Sequence, residues 1–157
     1  MDIFTVAFFG HRYIDLFSQA ESGVEKYIKD LLINYEYVDF LVGRDGEFDQ
    51  IVSSTVKRMK RAVRDDNSSL IWVLPYPKAE YEKNEDNFYE YYDEIEICEE
   101  SSRAHFKSAI QIRNRYMVDR ADLVICYIDH ENGGAYQTVK YAEKQGKKII
   151  KIANESE

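Results

Sequence analysis

The stretch IFTVAFFGHRY, residues 3–13, begins as an unbroken apolar run and ends in Gly10, His11 and Arg12. Because its apolar residues do not alternate with polar ones, the run predicts a strand that is buried on both faces. Gly10 allows the backbone to turn at the end of this strand. His11 and Arg12 place hydrogen-bond donors at that turn, which suits either an anion site or an ordinary loop.

Four further β-favouring runs follow, and helical patterns lie between them. The runs are YVDFLV (37–42), SLIWVLP (69–75), LVICYI (123–128) and KKIIKIA (147–153). Alternating strands and helices predict right-handed crossovers and a parallel sheet. We therefore expect an α/β fold of the three-layer Rossmann-like kind, with a mostly parallel sheet of five strands, or slightly more, flanked by helices.

Two of the predicted helix ends have sequence signals. Ser18 and Glu21 have the S-x-x-E spacing of a capping box, which predicts the start of the first long helix. Gly146 predicts the end of the last helix, because glycine is the residue preferred just beyond a helix C-terminus.

Composition limits the classes of protein that the chain can represent. Its 157 residues, 45% hydrophobic and 32% charged, predict one soluble globular domain over residues 1–157. We find no membrane-length apolar run and no signal segment, so we expect a cytoplasmic protein without a membrane partner. The net charge of −8 disfavours phosphate-backbone binding. We therefore expect no extended nucleic acid partner, although a small phosphorylated ligand remains compatible with a local positive pocket.

The segment 76–103 interrupts the alternation and is rich in Tyr, Glu and Asp. We interpret it as an inserted solvated loop with a short helix. A lid over a site and a surface for a partner are the alternatives. Within it, EIEIC (94–98) is a candidate for a short extra strand.

Three strand ends carry glycine, and ligands of open parallel sheets bind beyond the carboxyl ends of the strands. Glycine loops that lead into helix N-termini suit anions. We therefore expect these loops to line one ligand site. The glycines are Gly10 after the first strand, Gly43 and Gly46 in GRDGEFD after the second, and Gly133 and Gly134 after the fourth.

The charged residues near these ends suggest different roles. Arg12 and Arg113 suit a phosphate, whereas Asp49 suits ribose hydroxyls or, alternatively, a helix N-terminus. Arg113 shares a helix face with apolar residues at positions 106, 110 and 117. An unpaired charge on such a stripe is costly, so Arg113 is either a buried salt-bridge residue or a pocket arginine.

Metal and cofactor signals are weak in the sequence. Cys98 and Cys126 have neither disulfide nor zinc spacing, and His105 and His130 do not have ligand spacing on one helix. The chain also lacks the P-loop and GxGxxG patterns. We therefore expect reduced cysteines, no bound metal and no cofactor.

Four segments together resemble the SLOG superfamily of Rossmann-like nucleotide-binding domains, which includes the Lonely Guy phosphoribohydrolases and the Smf DNA-processing proteins. The segments are FFGHR (8–12), GRDGEFD (43–49), RNRYMVDRADLVI (113–125) and GGAYQTVKYA (133–142). The match looks closest to a bacterial and phage branch with GHR after the first strand. The resemblance implies a small nucleotide-like ligand, with its phosphate at Gly133 and Gly134, and a homodimer.

The resemblance to the Lonely Guy enzymes is incomplete. Arg113 and Met117 match their R-K-x-x-M segment, with Asn114 in place of the lysine. Lys140 stands where their P-G-G-x-G-T-x-x-E segment has the glutamate that glycosidic cleavage needs. The further departures in that segment are Asn132, Tyr136 and Gln137.

Three functions remain open. The first is a binding or sensing domain for a small nucleotide or a nucleotide-derived ligand, with Asn114 among the ligand-binding residues. The second is an N-glycosidic hydrolase of nucleoside monophosphates, with Arg113, Glu47 or Asp49 as catalytic candidates and Asp129 or Glu131 as further carboxylates. In that function His11 is an acid or a hydrogen-bond donor. The third is a protein-interaction module that uses the acidic segment 76–100.

Overall fold

Six strands form one sheet in the computed structural model of the chain, which describes residues 1–154. Every neighbouring pair of strands is parallel, in the order β4-β3-β2-β1-β5-β6. The predicted α/β fold is confirmed, and EIEIC supplies the extra strand. The strands are β1 (Ile3–Gly10), β2 (Tyr37–Val42), β3 (Ser68–Leu74), β4 (Glu94–Ile97), β5 (Leu123–Tyr127) and β6 (Lys148–Lys151).

Long helices cover both faces of the sheet, which explains why its central strands are apolar throughout. Phe8 points into one apolar cluster, with residues of α1 and α2. Its neighbour Phe9 points into a second cluster, with residues of α6 and α7. The helices are α1 (Phe17–Asn34), α2 (Glu47–Ala62), α3 (Ala79–Lys83), α4 (Glu85–Tyr91), α5 (Glu99–Ser102), α6 (Phe106–Arg120) and α7 (Gly134–Lys144).

None of the helices within residues 1–154 has both the length and the apolar character that a bilayer crossing would require.

The strand order reverses between β1 and β5. The chain adds β2, β3 and β4 on one side of β1 and then returns to place β5 and β6 on the other side. The loops that leave β1 and β5 therefore run to opposite faces of the sheet and open a crevice at its carboxyl edge. Phe9 pairs with Cys126 and Gly10 with Tyr127, so the two strands end at the same level.

The two predicted helix ends have different outcomes. The capping box is wrong: α1 begins at Phe17 after Leu16, and no side chain caps it. Ser18 already lies inside the first turn, where its hydroxyl is not at the capping position. The end of α7 is confirmed, since the helix finishes at Lys144 and Gly146 has a φ of 71°.

The segment 76–103 is more ordered than the expected solvated loop with one short helix. It contains α3, α4, β4 and α5, and β4 extends the sheet beside β3. Its aromatic residues explain the order, because Tyr81 and Tyr92 are buried with ring centroids 6.0 and 5.3 Å from Trp72. Tyr89 and Tyr91 remain exposed.

Candidate ligand site

A cavity of about 370 Å³ lies at the carboxyl ends of β1, β2 and β5. The three glycine loops therefore meet at one place, as the sequence predicts. Gly46 and Arg113 are the two predicted ligand-binding residues outside the cavity wall. The predicted residues that line the cavity are Gly10, His11, Arg12, Gly43, Asp49, Asn114, Gly133 and Gly134; Phe8, Phe9, Tyr13, Asp45, Ile110, His130 and Ala135 complete the lining.

The start of α7 forms one side of the cavity. Gly133 precedes the helix with a φ of 93°, a backbone conformation that other residues rarely adopt. Apart from its chain neighbours, no atom of residues 1–154 lies within 4 Å of where its Cβ would be. The N–H groups of the first helical turn have no acceptors within the helix. The N-terminus of α7 therefore faces the cavity through Gly134 and Ala135, and the space beside Gly133 is open. A helix N-terminus in this position is favourable for an anion.

Arg12 supplies an unpaired positive charge to the same cavity. Its side chain is exposed, and across residues 1–154 its guanidinium makes no ion pair or hydrogen bond. The neighbouring Tyr13 is 75% exposed and offers an aromatic face at the rim. These two residues leave β1 with their side chains available to a ligand.

Arg113, by contrast, is completely buried, and each of its three guanidinium nitrogens already donates a hydrogen bond. Its guanidinium donates to the backbone oxygen of Val73 at 2.6 Å, to Oδ1 of Asn114 at 2.9 Å and to the carboxylate of Asp45. Of the two alternatives that the sequence left open, the geometry favours the buried salt bridge. Phe106, predicted to share a buried stripe with Arg113, is instead 68% exposed because it lies at the very start of α6.

Asn114 lies between Arg113 and α7. Its Oδ1 accepts from Arg113, and its Nδ2 donates to the hydroxyl of Thr138 at 3.1 Å. Thr138 in turn donates to the backbone oxygen of Gly134 at 2.9 Å. Asn114 therefore connects the buried arginine to the helix start at the cavity.

Glu47 fastens the loop after β1 to the start of α2. Its carboxylate accepts from the backbone N–H of Ile14 at 2.8 Å, and its own N–H donates to the backbone oxygen of Arg12 at 2.8 Å. The two backbones approach so closely at Gly46 that a Cβ there would lie 2.4 Å from the Cα of Arg12. Gly46 and Glu47 therefore shape the loop that carries Arg12.

Asp49 lies on the cavity wall but is largely buried. Its Oδ2 accepts from the backbone N–H of Asp45 at 2.9 Å. Burial raises the pKa of Asp49 to about 7, and the nearby charge of Asp45 contributes in the same direction. Near neutral pH, Asp49 is therefore present in both its protonated and its ionised forms, so it can donate as well as accept.

A cluster of His11, Asp129 and His130 lies at the mouth of the cavity, and it was not predicted from the sequence. There, His130 was considered as a metal ligand only together with His105. His11 and His130 stack with ring centroids 3.5 Å apart, and Asp129 lies beside both rings. Burial lowers the pKa of His11, and His130 lowers it further, whereas Asp129 opposes the shift. The signal that was available is topological: His11 follows β1 and His130 follows β5, which are neighbours in the sheet.

The remaining charged candidates lie outside the cavity wall. Glu131 is exposed, and Lys140, at the position of the missing glutamate, is exposed and lies 3.7 Å from Glu143. Among the described residues, the carboxylates that line the cavity are Asp45 and Asp49; Asp45 accepts from Arg113 of α6, and Asp49 accepts from the backbone N–H of Asp45.

A second cavity, of about 510 Å³, lies between α2 and the inserted segment. Arg44 is among its lining residues, pairs with Glu80 at 2.6 Å and lies over the rings of Trp72 and Phe88. Because that guanidinium is already paired, this cavity offers a weaker anion site than the first.

Solved structures share the fold of this chain at low sequence identity. DNA processing protein A from Streptococcus pneumoniae matches 95% of this chain with a TM-score of 0.69 and 17% identity. The protein of that name from Helicobacter pylori, described for its single-stranded DNA binding mode, matches 94% with a TM-score of 0.66 and 16% identity. The chain spans 50% and 64% of these two proteins. The sequence itself matches no protein-family model and no curated protein.

The molybdenum cofactor carrier protein of Chlamydomonas reinhardtii also shares the fold. It matches 96% of this chain, over 76% of its own length, with a TM-score of 0.62 and 12% identity. The resemblance that the sequence suggested, to the superfamily that includes the Smf DNA-processing proteins, is confirmed as a likeness of fold. The branch with GHR after the first strand stays a prediction.

The expectation that excluded an extended nucleic acid partner is wrong. It rested on the net charge of −8. A structural neighbour with this fold is described as binding single-stranded DNA. Overall charge therefore does not exclude such a partner, because binding depends on the charges that line the contact surface and not on their sum.

Proposed function

We propose that this protein binds a small nucleotide or a nucleotide-derived anion in the cavity at the carboxyl edge of the sheet. The observation that carries the proposal is the meeting of the unpaired Arg12 with the start of α7 at Gly133. A helix N-terminus and an arginine are both groups that favour phosphate oxygens. They approach the cavity from the ends of β1 and β5, on either side of the point where the strand order reverses.

The size and rim of the cavity agree with such a ligand. A volume of about 370 Å³ falls within the range typical of small-molecule sites. Tyr13 at the rim offers a face on which a base can stack. Asp49, which can donate or accept near neutral pH, suits a sugar hydroxyl.

Binding is better supported than glycosidic hydrolysis. The carboxylate of Glu47 is held by the backbone of Ile14, and Arg113 is held by Val73 and Asp45. Lys140 lies on the surface at the position of the family glutamate. Of the candidates for a replacement catalytic carboxylate, Glu47 and Asp49 accept from loop backbone, and Glu131 is exposed outside the cavity lining. This arrangement supports binding more than it supports the stabilisation of an oxocarbenium-like transition state.

The test is a thermal-shift screen with AMP, other nucleoside monophosphates, ADP-ribose, NAD and cyclic dinucleotides. A ligand at 100 times its dissociation constant adds about 2.7 kcal/mol, which for this chain length is about 5–10 °C. Arg12→Ala should reduce the shift to about half or less, because tenfold weaker binding leaves about 1.4 kcal/mol of stabilisation at the same ligand concentration. The control is Arg64→Ala, which deletes an exposed arginine before β3 at the other edge of the sheet. The absence of any shift in the wild type, or an undiminished shift in Arg12→Ala, would contradict the proposal.

Single-stranded nucleic acid is a second candidate, favoured by the shared fold with the Helicobacter pylori protein. Arg12 and Tyr13 at the open rim are the kinds of residue that contact the backbone and bases of a single strand. Fluorescence polarisation with a labelled oligothymidine, competed by AMP, separates the two candidates. Oligonucleotide binding that AMP does not displace would favour this second function over the first.

A further inference from the structure

Two histidines and one aspartate converge where the strand order reverses. His11 leaves the end of β1, and Asp129 and His130 leave the end of β5. One ligand atom of each residue lies within 4.8 Å of the other two. Oδ1 of Asp129 is 3.4 Å from Nε2 of His11 and 2.7 Å from Nδ1 of His130. Three potential ligands from two different loops thus share one small volume.

The nitrogen of His11 that faces this volume has no partner. His11 is 95% buried, being 5% exposed, and its Nε2 makes no hydrogen bond within residues 1–154. Its 3.4 Å contact with Asp129 is not aligned as a hydrogen bond. An unsatisfied buried polar atom is unfavourable, and it is rare unless water, an ion or a functional partner completes it. The unpaired nitrogen therefore indicates a missing partner at this point.

We propose that His11, Asp129 and His130 bind a divalent transition-metal ion of the zinc class at the mouth of the cavity. Imidazole nitrogen with one carboxylate oxygen is a donor set that zinc accepts, whereas Mg²⁺ and Ca²⁺ prefer oxygen alone. Three protein ligands leave at least one coordination position open, as in catalytic rather than structural zinc sites. His11 and His130 line the cavity, which places the proposed site beside it.

Small movements bring the three atoms into coordination geometry. Ligand atoms about 2.0–2.1 Å from a tetrahedral zinc ion lie about 3.3 Å from each other. The distance from Asp129 to His11 already has that value, while the distance from Asp129 to His130 must lengthen. The stacked rings must also tilt apart. The side chain of His130 is 49% exposed, so it is free to make this movement while His11 stays fixed.

The test of this site does not depend on the proposed nucleotide function, because the metal ion alone is the probe. Chelator-treated protein is titrated with Zn²⁺ by calorimetry, and Co²⁺ is added separately so that its visible absorption reports coordination geometry. We expect one ion per chain and tetrahedral or five-coordinate cobalt bands. The chain has three histidines, and the third, His105, lies outside the cluster, so it offers a matched control.

His130→Asn and Asp129→Asn carry the test, because both residues are partly exposed and their replacement leaves the core intact. Loss of a direct ligand should weaken Zn²⁺ binding by more than about 100-fold, which exceeds the usual effect of an outer-shell change. His105→Asn should bind Zn²⁺ like the wild type, since asparagine keeps the capping acceptor that His105 gives to Lys107.

Three results would overturn the metal site. They are the absence of stoichiometric Zn²⁺ binding, equal binding in His130→Asn and the wild type, and a loss in His105→Asn as large as the loss in His130→Asn. His11→Gln is an additional variant, and its unfolding transition is measured first because that residue is buried. If His11→Gln folds and still binds Zn²⁺ with the affinity of the wild type, the assignment of Nε2 as a ligand is wrong.

Discussion

The loops after β1 and β5 differ from the loop after β2 in how their polar side chains are used. After β2, Asp45 pairs with Arg113, and Asp49 caps the loop backbone. After β1 and β5, Arg12 has no partner in the described residues and the buried Nε2 of His11 has none. Both regions reach the same cavity. The comparison indicates that one region holds the cavity in shape, while the other is available to a ligand.

The largest effect should come from breaking the pairing on the β2 side. Arg113→Ala removes a fully buried side chain and leaves the backbone oxygen of Val73 and the partly exposed carboxylate of Asp45 without this donor. Removing one partner of a buried pair costs about 3–5 kcal/mol, and because Asp45 is partly exposed we expect a loss of about 3 kcal/mol. Urea unfolding without ligand should show this loss. Arg64→Ala, the exposed control, should stay within about 0.5 kcal/mol of the wild type. An Arg113→Ala variant as stable as the wild type would mean that Arg113 is not structural.

The second effect is a pH dependence at Asp49. Its pKa is raised from 3.8 to about 7 in the folded protein. The folded state therefore holds this proton more tightly than the unfolded state. The contribution of this proton to the free energy of unfolding is fully present below about pH 4 and is lost as the pH rises through about 7. Between these values the free energy of unfolding falls by up to about 1.4 kcal/mol per pH unit.

Asp49→Asn removes the pH-dependent contribution of Asp49 and keeps its hydrogen bond, because asparagine can still accept from the N–H of Asp45. The free energy of unfolding of Asp49→Asn, relative to the wild type, should increase between pH 4 and pH 7. Denaturant unfolding at several pH values measures the difference. A difference that does not change with pH would show that Asp49 has an ordinary pKa.

A smaller effect is expected at Gly46. A Cβ there would lie 2.4 Å from the Cα of Arg12, and that backbone is fastened by Glu47. Gly46→Ala should therefore destabilise the fold by about 1–3 kcal/mol, as overpacking does. Gly23→Ala is a useful comparison, because the nearest atoms to its Cβ would belong to the side chain of Ile152, at 2.5 Å, and not to backbone. If Gly46→Ala unfolds at the same denaturant concentration as the wild type, the two loops are not held as closely as described.

Much of the fold was predictable, because it depends on local patterns that the chain repeats. The apolar runs of β1, β2, β3 and β5 and the periodic helices between them specify a parallel sheet covered on both faces. The failures were local. The capping box predicted at Ser18 does not form, since α1 begins before this residue. The acidic segment 76–103 was expected to be solvated, although Tyr81 and Tyr92 pack on Trp72.

The position of the cavity was predictable from the sequence, but the roles of the side chains around it were not. Glycines at three strand ends indicated where the cavity lies, because parallel strands end at one edge. The apolar stripe around Arg113 indicated that this arginine needs a partner, but whether the partner is a ligand or Asp45 depends on tertiary contacts that the sequence does not show. The pairing of His11 with His130 depends on β1 and β5 being neighbours, which follows from the strand order and not from local sequence.

The most direct test compares ligand affinity and stability in Arg12→Ala. Calorimetric titration uses the nucleotide with the largest thermal shift, with Arg64→Ala as the control, and urea unfolding is measured on the same samples. Loss of a charged hydrogen bond, about 1.5–3 kcal/mol, predicts binding at least about tenfold weaker in Arg12→Ala, with unfolding unchanged within about 0.5 kcal/mol. Wild-type affinity in Arg12→Ala, or a stability loss as large as that of Arg113→Ala, would contradict the division between the two regions.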